Sequence, residues 1–467
     1  MHEERFDVVF LGGGPAGYQG AIRAAQLGRR VAVVESRELG GVCLNRGCIP
    51  TKTIKASVDL LYRARHAKDY GLEIEGEIRP NIAAIVARKE KVVGLLRGGV
   101  AQLFRGNGVS LYEGRGHLVS PGELVVDGEG GAVRLKTKKV VLATGSRPLL
   151  PGPFAGGKQG VLTTDDILNM SAVPKSLLIV GAGAIGVEMA SLMAELGSTV
   201  TLLEMEERIL PREDAETAAY LTRMLKRQKV KIIAGISVTA VESGAHIRLT
   251  LSDGRALEGD AVLAAAGRKP NIEGIGLANI GLNLEDGPLA VNERMETTVP
   301  GVYAAGDVTG GWLLAHVAFA EGIVAAENAA GLERRMDYRV VPRCIFSIPE
   351  YGAVGLSEEE AKERFPTGSF SFPLKSLGMA QAMGEWEGLV KLVVHEKTEE
   401  ILGGHVIGPH AGDLIAEIAL AMRHGIPARG IVETIHTHPT LSEGVLEAAQ
   451  AACGQAIHML PAKDSHG

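Results

Sequence analysis

The chain has 467 residues, 46% hydrophobic and 22% charged, with a formal net charge of −6. That length fits about three domains with ample apolar material for their cores. The acidic balance, without a basic tract, excludes nucleic acid as the main ligand, and no apolar run approaches the roughly 18 residues of a membrane span.

The opening Met1-His2-Glu3-Glu4-Arg5 carries no basic leader, so a cytoplasmic location is expected. Residues 6–11 predict a short buried strand, and Gly12-Gly13-Gly14-Pro15-Ala16-Gly17 turns from it into a helix reaching about Leu27. In this strand, turn and helix context, Gly12 makes the tight turn, Gly14 admits a pyrophosphate to the backbone, and Gly17 lets helix pack on strand. The helix N-terminus faces the phosphate charge. A second strand, 31–34, runs into Glu35, placed to accept ribose hydroxyls.

Downstream lies Gly40-Gly41-Val42-Cys43-Leu44-Asn45-Arg46-Gly47-Cys48-Ile49-Pro50-Thr51-Lys52. Four cysteines make no disulfide scaffold in a chain of this size, so the close pair Cys43 and Cys48 reads as catalytic or metal-binding. Cys344 and Cys453 lack a nearby cysteine in sequence and read as buried residues without a role. On a regular helix, residues five apart have Cα atoms roughly 8.7 Å apart. A disulfide needs less than about 7 Å. If Cys43 and Cys48 bridge, the backbone between them must leave ideal helix, and Gly47 and Pro50 are the candidates for distorting it.

Residues 54–104 read mainly as helices and 109–140 as short strands. The strand at 139–143 ends at Thr144-Gly145-Ser146-Arg147-Pro148. A second fingerprint, Gly181-Ala182-Gly183-Ala184-Ile185-Gly186, follows a strand at 176–180, and a strand at 199–203 ends at Glu204. The interval from Gly17 to Glu35 equals that from Gly186 to Glu204, so the repeat is one of structure as well as motif. Two dinucleotide sites are expected. Glu204 can bond a ribose 2′-OH but repels a 2′-phosphate, which favours NAD over NADP.

The strand at 261–265 runs into Ala266-Gly267-Arg268-Lys269-Pro270-Asn271, echoing the segment around Gly145. Each glycine lies where a parallel strand returns the chain to a nucleotide crevice. A third apolar strand, 301–305, stops at Gly306-Asp307 and a helical segment runs from 313 to 330. This pattern predicts that the first nucleotide domain is completed far downstream, with the second inserted between. From 340 onward, alternation at 389–394 and a helical run at 413–424 predict a separate α+β domain.

The segments 41–52, 143–148, Gly306-Asp307 and His438-Pro439-Thr440-Leu441-Ser442-Glu443 together resemble the two-dinucleotide-binding flavoprotein disulfide reductases over essentially the whole length, most closely their lipoamide branch. The resemblance implies an α/β fold of two Rossmann-like dinucleotide-binding domains plus a C-terminal α+β dimerisation domain. An FAD-binding domain would take 1–147 and 272–338, an NAD-binding domain 148–271, and the dimerisation domain 339–467. It also implies oxidation of protein-bound dihydrolipoamide to lipoamide, with electrons passing through a Cys43-Cys48 redox disulfide and FAD to NAD+. The partners implied are a second copy in a homodimer, and the lipoyl domain and acyltransferase core of a 2-oxo acid dehydrogenase complex. No metal, nucleic acid or membrane partner is expected.

Residue by residue, the likeness implies that Glu35 binds the FAD adenosine ribose, Lys52 approaches the flavin ring and Asp307 holds the ribityl chain. Gly12, Gly14, Gly17, Gly116, Thr144, Gly145, Ser146, Leu314, Ala315 and His316 join the FAD set. Gly181, Gly183, Gly186, Glu188, Glu204, Val238 and Gly267 form the NAD set. Glu188 resembles the glutamate that pairs with the flavin-side lysine, against the simpler reading of a helix-capping carboxylate. Cys43 would exchange with substrate and Cys48 would lie against the flavin.

Thiol exchange needs a base, and His438 is the candidate, with Glu443 to orient its imidazole. In this family the base comes from the partner subunit. His436 reads equally as a neighbour in that site or as packing. The nearest alternative is a glutathione-reductase-like NAD(P)H-dependent enzyme, disfavoured by Glu204 and by Leu441; the other is a non-catalytic flavoprotein subunit.

Overall fold

The computed structural model describes residues 2–282 and 287–460. The expected domain ends at Met1 and 461–467, and residues 283–286 inside the first expected domain, lie outside the described residues. The fold is mixed α/β, built on three principal sheets with helices packed against them.

In the first sheet, His2–Leu11 pairs in parallel with Val31–Glu35 on one side and Gly131–Leu142 on the other. Val8, Val9, Phe10 and Val31 to Val33 are fully buried, the near-continuous apolar run of a strand covered on both faces. Ser110–Glu113 extends one edge, while Glu123–Gly128 and Arg115–Ser120 form an antiparallel extension of the other. Val302–Ala304 also joins this sheet, parallel to Gly131–Leu142. Residues far apart in sequence thus build one nucleotide crevice.

The second sheet is entirely parallel, ordered Lys231–Ile233, Thr199–Leu203, Ser176–Val180, Ala261–Ala264 and Val161–Leu162. Its fingerprint helix, Ala184–Glu195, and the first module's Pro15–Gln26 use the same close approach. A Cβ on Gly17 would stand 1.9 Å from the Gly12 carbonyl oxygen, and one on Gly186 1.8 Å from that of Gly181. No side chain fits there. Beside this sheet lies a small antiparallel one of Val238–Glu242, Ile247–Leu251 and Ala256–Gly259. A two-stranded ribbon, Ser146–Pro148 with Arg268–Pro270, stitches the two modules together.

The third sheet is antiparallel, ordered Arg343–Ile345, Glu350–Gly355, Ile401–Gly408, Leu389–His395 and Thr367–Pro373, with Ala411–Arg423 and Glu443–Ala452 among its helices. One apolar cluster spans all three modules, joining Ile54, Val58 and Leu61 to Leu177, Val187 and Leu192 and to Ile345, Tyr351 and Ala353.

A buried ionic knot ties the second module to the third. Lys391 is 1% exposed, and its Nζ lies 2.9 Å from Asp214 Oδ2, 2.9 Å from Glu216 Oε2 and 2.7 Å from Glu358 Oε2. Asp214 also caps the Ala215–Arg227 helix by accepting from the Thr217 amide at 3.1 Å. Next to it Arg343 grips Glu213 at 2.8 Å, and the Tyr351 hydroxyl donates to the same carboxylate at 3.0 Å.

Candidate active site

The helix Gly41–Arg46 stops at Gly47, whose φ and ψ are −140° and −108°, and a new helix, Cys48–Arg65, begins at the second cysteine. The expected departure from ideal helix therefore occurs at Gly47 alone. Pro50 sits in the first turn of the new helix, where its missing N–H leaves no intrahelical bond unmade. Asn45 braces the segment, its amide donating to the Leu39 and Gly41 carbonyls at 3.1 and 2.9 Å.

Both cysteines are free thiols that face one cavity. The hydrogen bond from Cys43 lowers the Cys48 thiol to about 7, and the Lys52 charge adds to the effect against burial. Cys48 also stands at a helix N-terminus, which favours a thiolate. The same hydrogen bond, together with burial, pushes the Cys43 thiol well up. The pair is thus polarised, with negative charge favoured on Cys48. Cys344 is a different case: burial holds its thiol well above the ordinary range, as expected of an unreactive residue.

The cavity measures about 960 Å³ and is lined by Glu35, Gly12, Gly14, Gly116, Thr144, Gly145, Ser146, Asp307, Leu314, Ala315, Cys43, Cys48 and Lys52. Its chemistry suits an extended dinucleotide. Its wall includes the Glu35 carboxylate. The N-terminus of Pro15–Gln26 also opens on it, with no side-chain cap and no acid in its first turn, so its amides are available to phosphate. Polar groups around Asp307 and the dithiol complete the lining. The residues therefore fit FAD.

Asp307 Oδ2 accepts from the Ser146 hydroxyl at 2.5 Å, and Ser146 Oγ accepts from Arg268 Nε at 2.7 Å. Arg268 lines the cavity and was not singled out by sequence, although it directly follows Gly267. Gly17 serves packing and does not line the cavity. His316 turns away, its Nε2 bonding the Pro342 carbonyl at 2.8 Å.

The second module reaches this cavity through Ala184, Ile185, Glu188 and Met189. Glu188 Oε1 lies 2.7 Å from Lys52 Nζ, an ion pair between the second fingerprint helix and the dithiol helix. The first turn of Ala184–Glu195 contains no acid, so Glu188 is no helix cap.

Glu204 repeats the geometry of Glu35. The Ala182 amide donates to Glu204 Oε2 at 2.6 Å, as the Gly13 amide does to Glu35 Oε2 at 2.8 Å. Gly181, Gly183, Gly186, Glu204 and Gly267 do not line the 960 Å³ cavity. Val238 packs against Phe154, Leu178 and Leu203 in the second module's core and does not reach that cavity.

In the third module His438 Nδ1 lies 2.7 Å from Glu443 Oε1, while the Thr440 amide donates to Glu443 Oε2 at 2.8 Å. Burial alone would raise the Glu443 carboxyl, but the Thr440 amide and His438 hold it below its usual value. With Nδ1–H directed at Glu443, Nε2 is left as a proton acceptor. The His438 side chain is 78% exposed and does not line its own chain's cavity. His436 is a brace: its Nε2 meets Glu417 at 2.7 Å, its Nδ1 meets the Thr434 carbonyl at 2.8 Å, and its side chain is 6% exposed. Among the described residues no helix is long and apolar enough to cross a membrane, and no group of His, Cys, Asp and Glu is arranged to hold a metal.

Comparison with known proteins places these features in context. Residues 6–322 match the pyridine nucleotide-disulphide oxidoreductase family, and residues 341–449 match that family's dimerisation domain. The chain is 42% identical to dihydrolipoyl dehydrogenase of Chlamydia trachomatis, an alignment covering 98% of this chain and 99% of the relative. It is also 42% identical to the Bacillus subtilis enzyme of that name, over 97% and 99%. Among solved structures, LpdA from Mycobacterium tuberculosis superposes with a TM-score of 0.89 at 30% identity, covering 97% of this chain and 99% of that one. The HOCl-induced flavoprotein disulfide reductase RclA from Escherichia coli, in its Cu(II) complex, gives 0.87 at 29%, covering 96% and 99%. The chain belongs to the pyridine nucleotide-disulphide oxidoreductase family.

Proposed function

We propose that the protein is a dihydrolipoamide dehydrogenase that oxidises protein-bound dihydrolipoamide to lipoamide with NAD+ as electron acceptor. The observation that carries this reading is the polarised Cys43–Cys48 pair on the wall of a cavity also lined by the second module's Ile185 and Glu188. The names of the relatives point to the substrate. Residues 1–147 and 272–338 hold FAD, 148–271 hold NAD, and 339–467 form the dimer contact.

In the first half-reaction a substrate thiolate attacks Cys43 Sγ of the oxidised pair and expels the Cys48 thiolate. The second substrate thiolate then closes the lipoamide disulfide and expels Cys43. His438, supplied by the other copy of the chain, takes the proton of the attacking substrate thiol and Glu443 stabilises the imidazolium that results, while the proton of the second thiol passes to the departing Cys43. The exposure of His438 and its absence from its own chain's cavity support this crossed arrangement. FAD, held along the cavity that Cys48 and Lys52 line, would supply the two-electron link between the dithiol and NAD+. Lys52, held by Glu188, places positive charge beside the Cys48 thiolate. The sum is dihydrolipoamide and NAD+ giving lipoamide, NADH and one proton. The natural donor is a lipoyl domain on the acyltransferase core of a 2-oxo acid dehydrogenase complex.

A paired assay tests the reading: lipoamide with NADH against glutathione disulfide with NADPH. The first pair is expected to be turned over at least about tenfold faster, because the Glu204 carboxylate repels a 2′-phosphate. Preference for the second pair would overturn the proposal.

A further inference from the structure

We infer that Glu321, on the helix Ala315–Ala329, is a positioning residue for the FAD cavity: by holding the Gly306 amide it fixes where the Asp307 carboxylate stands. The inference rests on the assignment of FAD to this cavity.

Glu321 is 2% exposed. Its Oε2 accepts from the Gly306 amide at 2.7 Å and its Oε1 from the Tyr338 hydroxyl at 2.6 Å. Among the described residues it makes no ion pair. Burial pushes its carboxyl up to about 7 despite both hydrogen bonds, and the neighbouring Asp307 charge adds to the push. A carboxyl held by two neutral donors beside a second carboxylate is an expensive choice for a helix interior, where leucine would pack without desolvation. Packing therefore does not account for it.

What the carboxyl does hold is the turn at the end of Val302–Ala304. The Gly306 amide is tied to Glu321, and the Gly306 carbonyl accepts from the Thr309 amide and hydroxyl, both at 2.9 Å. Asp307 follows directly, lines the cavity, and is met from the other side by Ser146 and, behind it, Arg268. Asp307 is thus fixed by two anchors. Ser146 acts on its side chain and Glu321 on the backbone that carries it. Only the Glu321 anchor lies outside the cavity, so it acts on the cofactor through Asp307.

The test compares Glu321→Gln and Glu321→Leu in the full chain, with far-UV circular dichroism to confirm folding. FAD is removed and titrated back, and its dissociation constant is read from quenching of flavin fluorescence. Glutamine retains an acceptor for the Gly306 amide; leucine retains only the volume. Leaving the buried Gly306 amide without its acceptor corresponds to about a tenfold weakening or more. Glu321→Leu is therefore expected to raise the constant at least about tenfold, and Glu321→Gln to stay within about threefold of wild type. A purely structural side chain reverses that order, since leucine suits a buried site better than an unpaired amide. Wild-type affinity in Glu321→Leu, or equal weakening in both variants, overturns the inference. If Glu321→Leu does not fold, Tyr338→Phe decides. Removing one of the carboxylate's two donors at a half-exposed tyrosine is expected to raise the constant by about two- to fivefold, and an unchanged constant overturns the inference. Failure of the wild-type chain itself to bind FAD would instead refute the proposed function.

Discussion

His438→Ala is expected to lower dihydrolipoamide oxidation about 10²- to 10⁴-fold, the usual scale for loss of a general base, while bound FAD is retained. Its geometry explains why one side chain carries so much. The Glu443 carboxylate is itself pinned by the Thr440 amide at 2.8 Å, so the imidazole is held through Nδ1 with Nε2 directed outward. Alanine leaves substrate thiols to lose their protons to water. The cavity walls and the dithiol are built without His438, so flavin content and NADH-driven reduction of an artificial electron acceptor should match wild type. Steady-state rates with dihydrolipoamide and with that acceptor, measured on the same preparation, separate the two properties. Near-wild-type dihydrolipoamide turnover would remove His438 from the mechanism.

The second large effect concerns stability. Lys391→Met is expected to destabilise the contact between the second and third modules by about 3–5 kcal/mol, the scale for leaving a buried charge without its partner. Methionine fills the volume but leaves the Asp214, Glu216 and Glu358 carboxylates converging on an apolar side chain. Asp214 cannot turn to solvent without abandoning the Thr217 amide that it caps. For a chain of 467 residues the change lowers the thermal midpoint by about 3–5 °C. Scanning calorimetry of the full chain checks this, and a midpoint within about 2 °C of wild type contradicts it. Glu216→Gln removes a carboxylate that is half exposed and should shift the midpoint far less.

Most of the fold class could be read directly from the chain, because its signals are local. Apolar runs such as 176–180 and 199–203 mark parallel strands, and the paired glycine fingerprints mark the helices that follow them. The strand at 302–304 could be anticipated too, since its apolar run stops at Gly306-Asp307 much as 139–143 stops near Gly145. The pair Cys43 and Cys48 and the approach of His438 to Glu443 follow from short spacings.

Contacts that depend on tertiary packing were harder to read. Arg268 faces the cavity because the two-stranded ribbon brings Arg268–Pro270 beside Ser146–Pro148, a pairing that neither segment announces alone. Glu321 looks like one more acid in a helix until the fold delivers Gly306 and Tyr338 to it. In the other direction, Pro50 looked like a helix breaker and proved harmless in a first turn. Leu441, weighed as a sign of substrate branch, is buried in the third module's core. Its side chain answers first to packing.

The carboxylates Glu35 and Glu204 each hold two amides of their own chain: Gly13 and Arg37 for the first, Ala182 and Glu206 for the second. These bonds lie within the chain and hold each loop's shape with the protein's own groups. Less of the ordering of each loop therefore falls to a nucleotide, which leaves more of its contact energy for affinity. The same economy exposes the loops to damage. A substitution at either acid would first loosen the loop that the acid braces, and weaker cofactor binding would follow from that loss of shape.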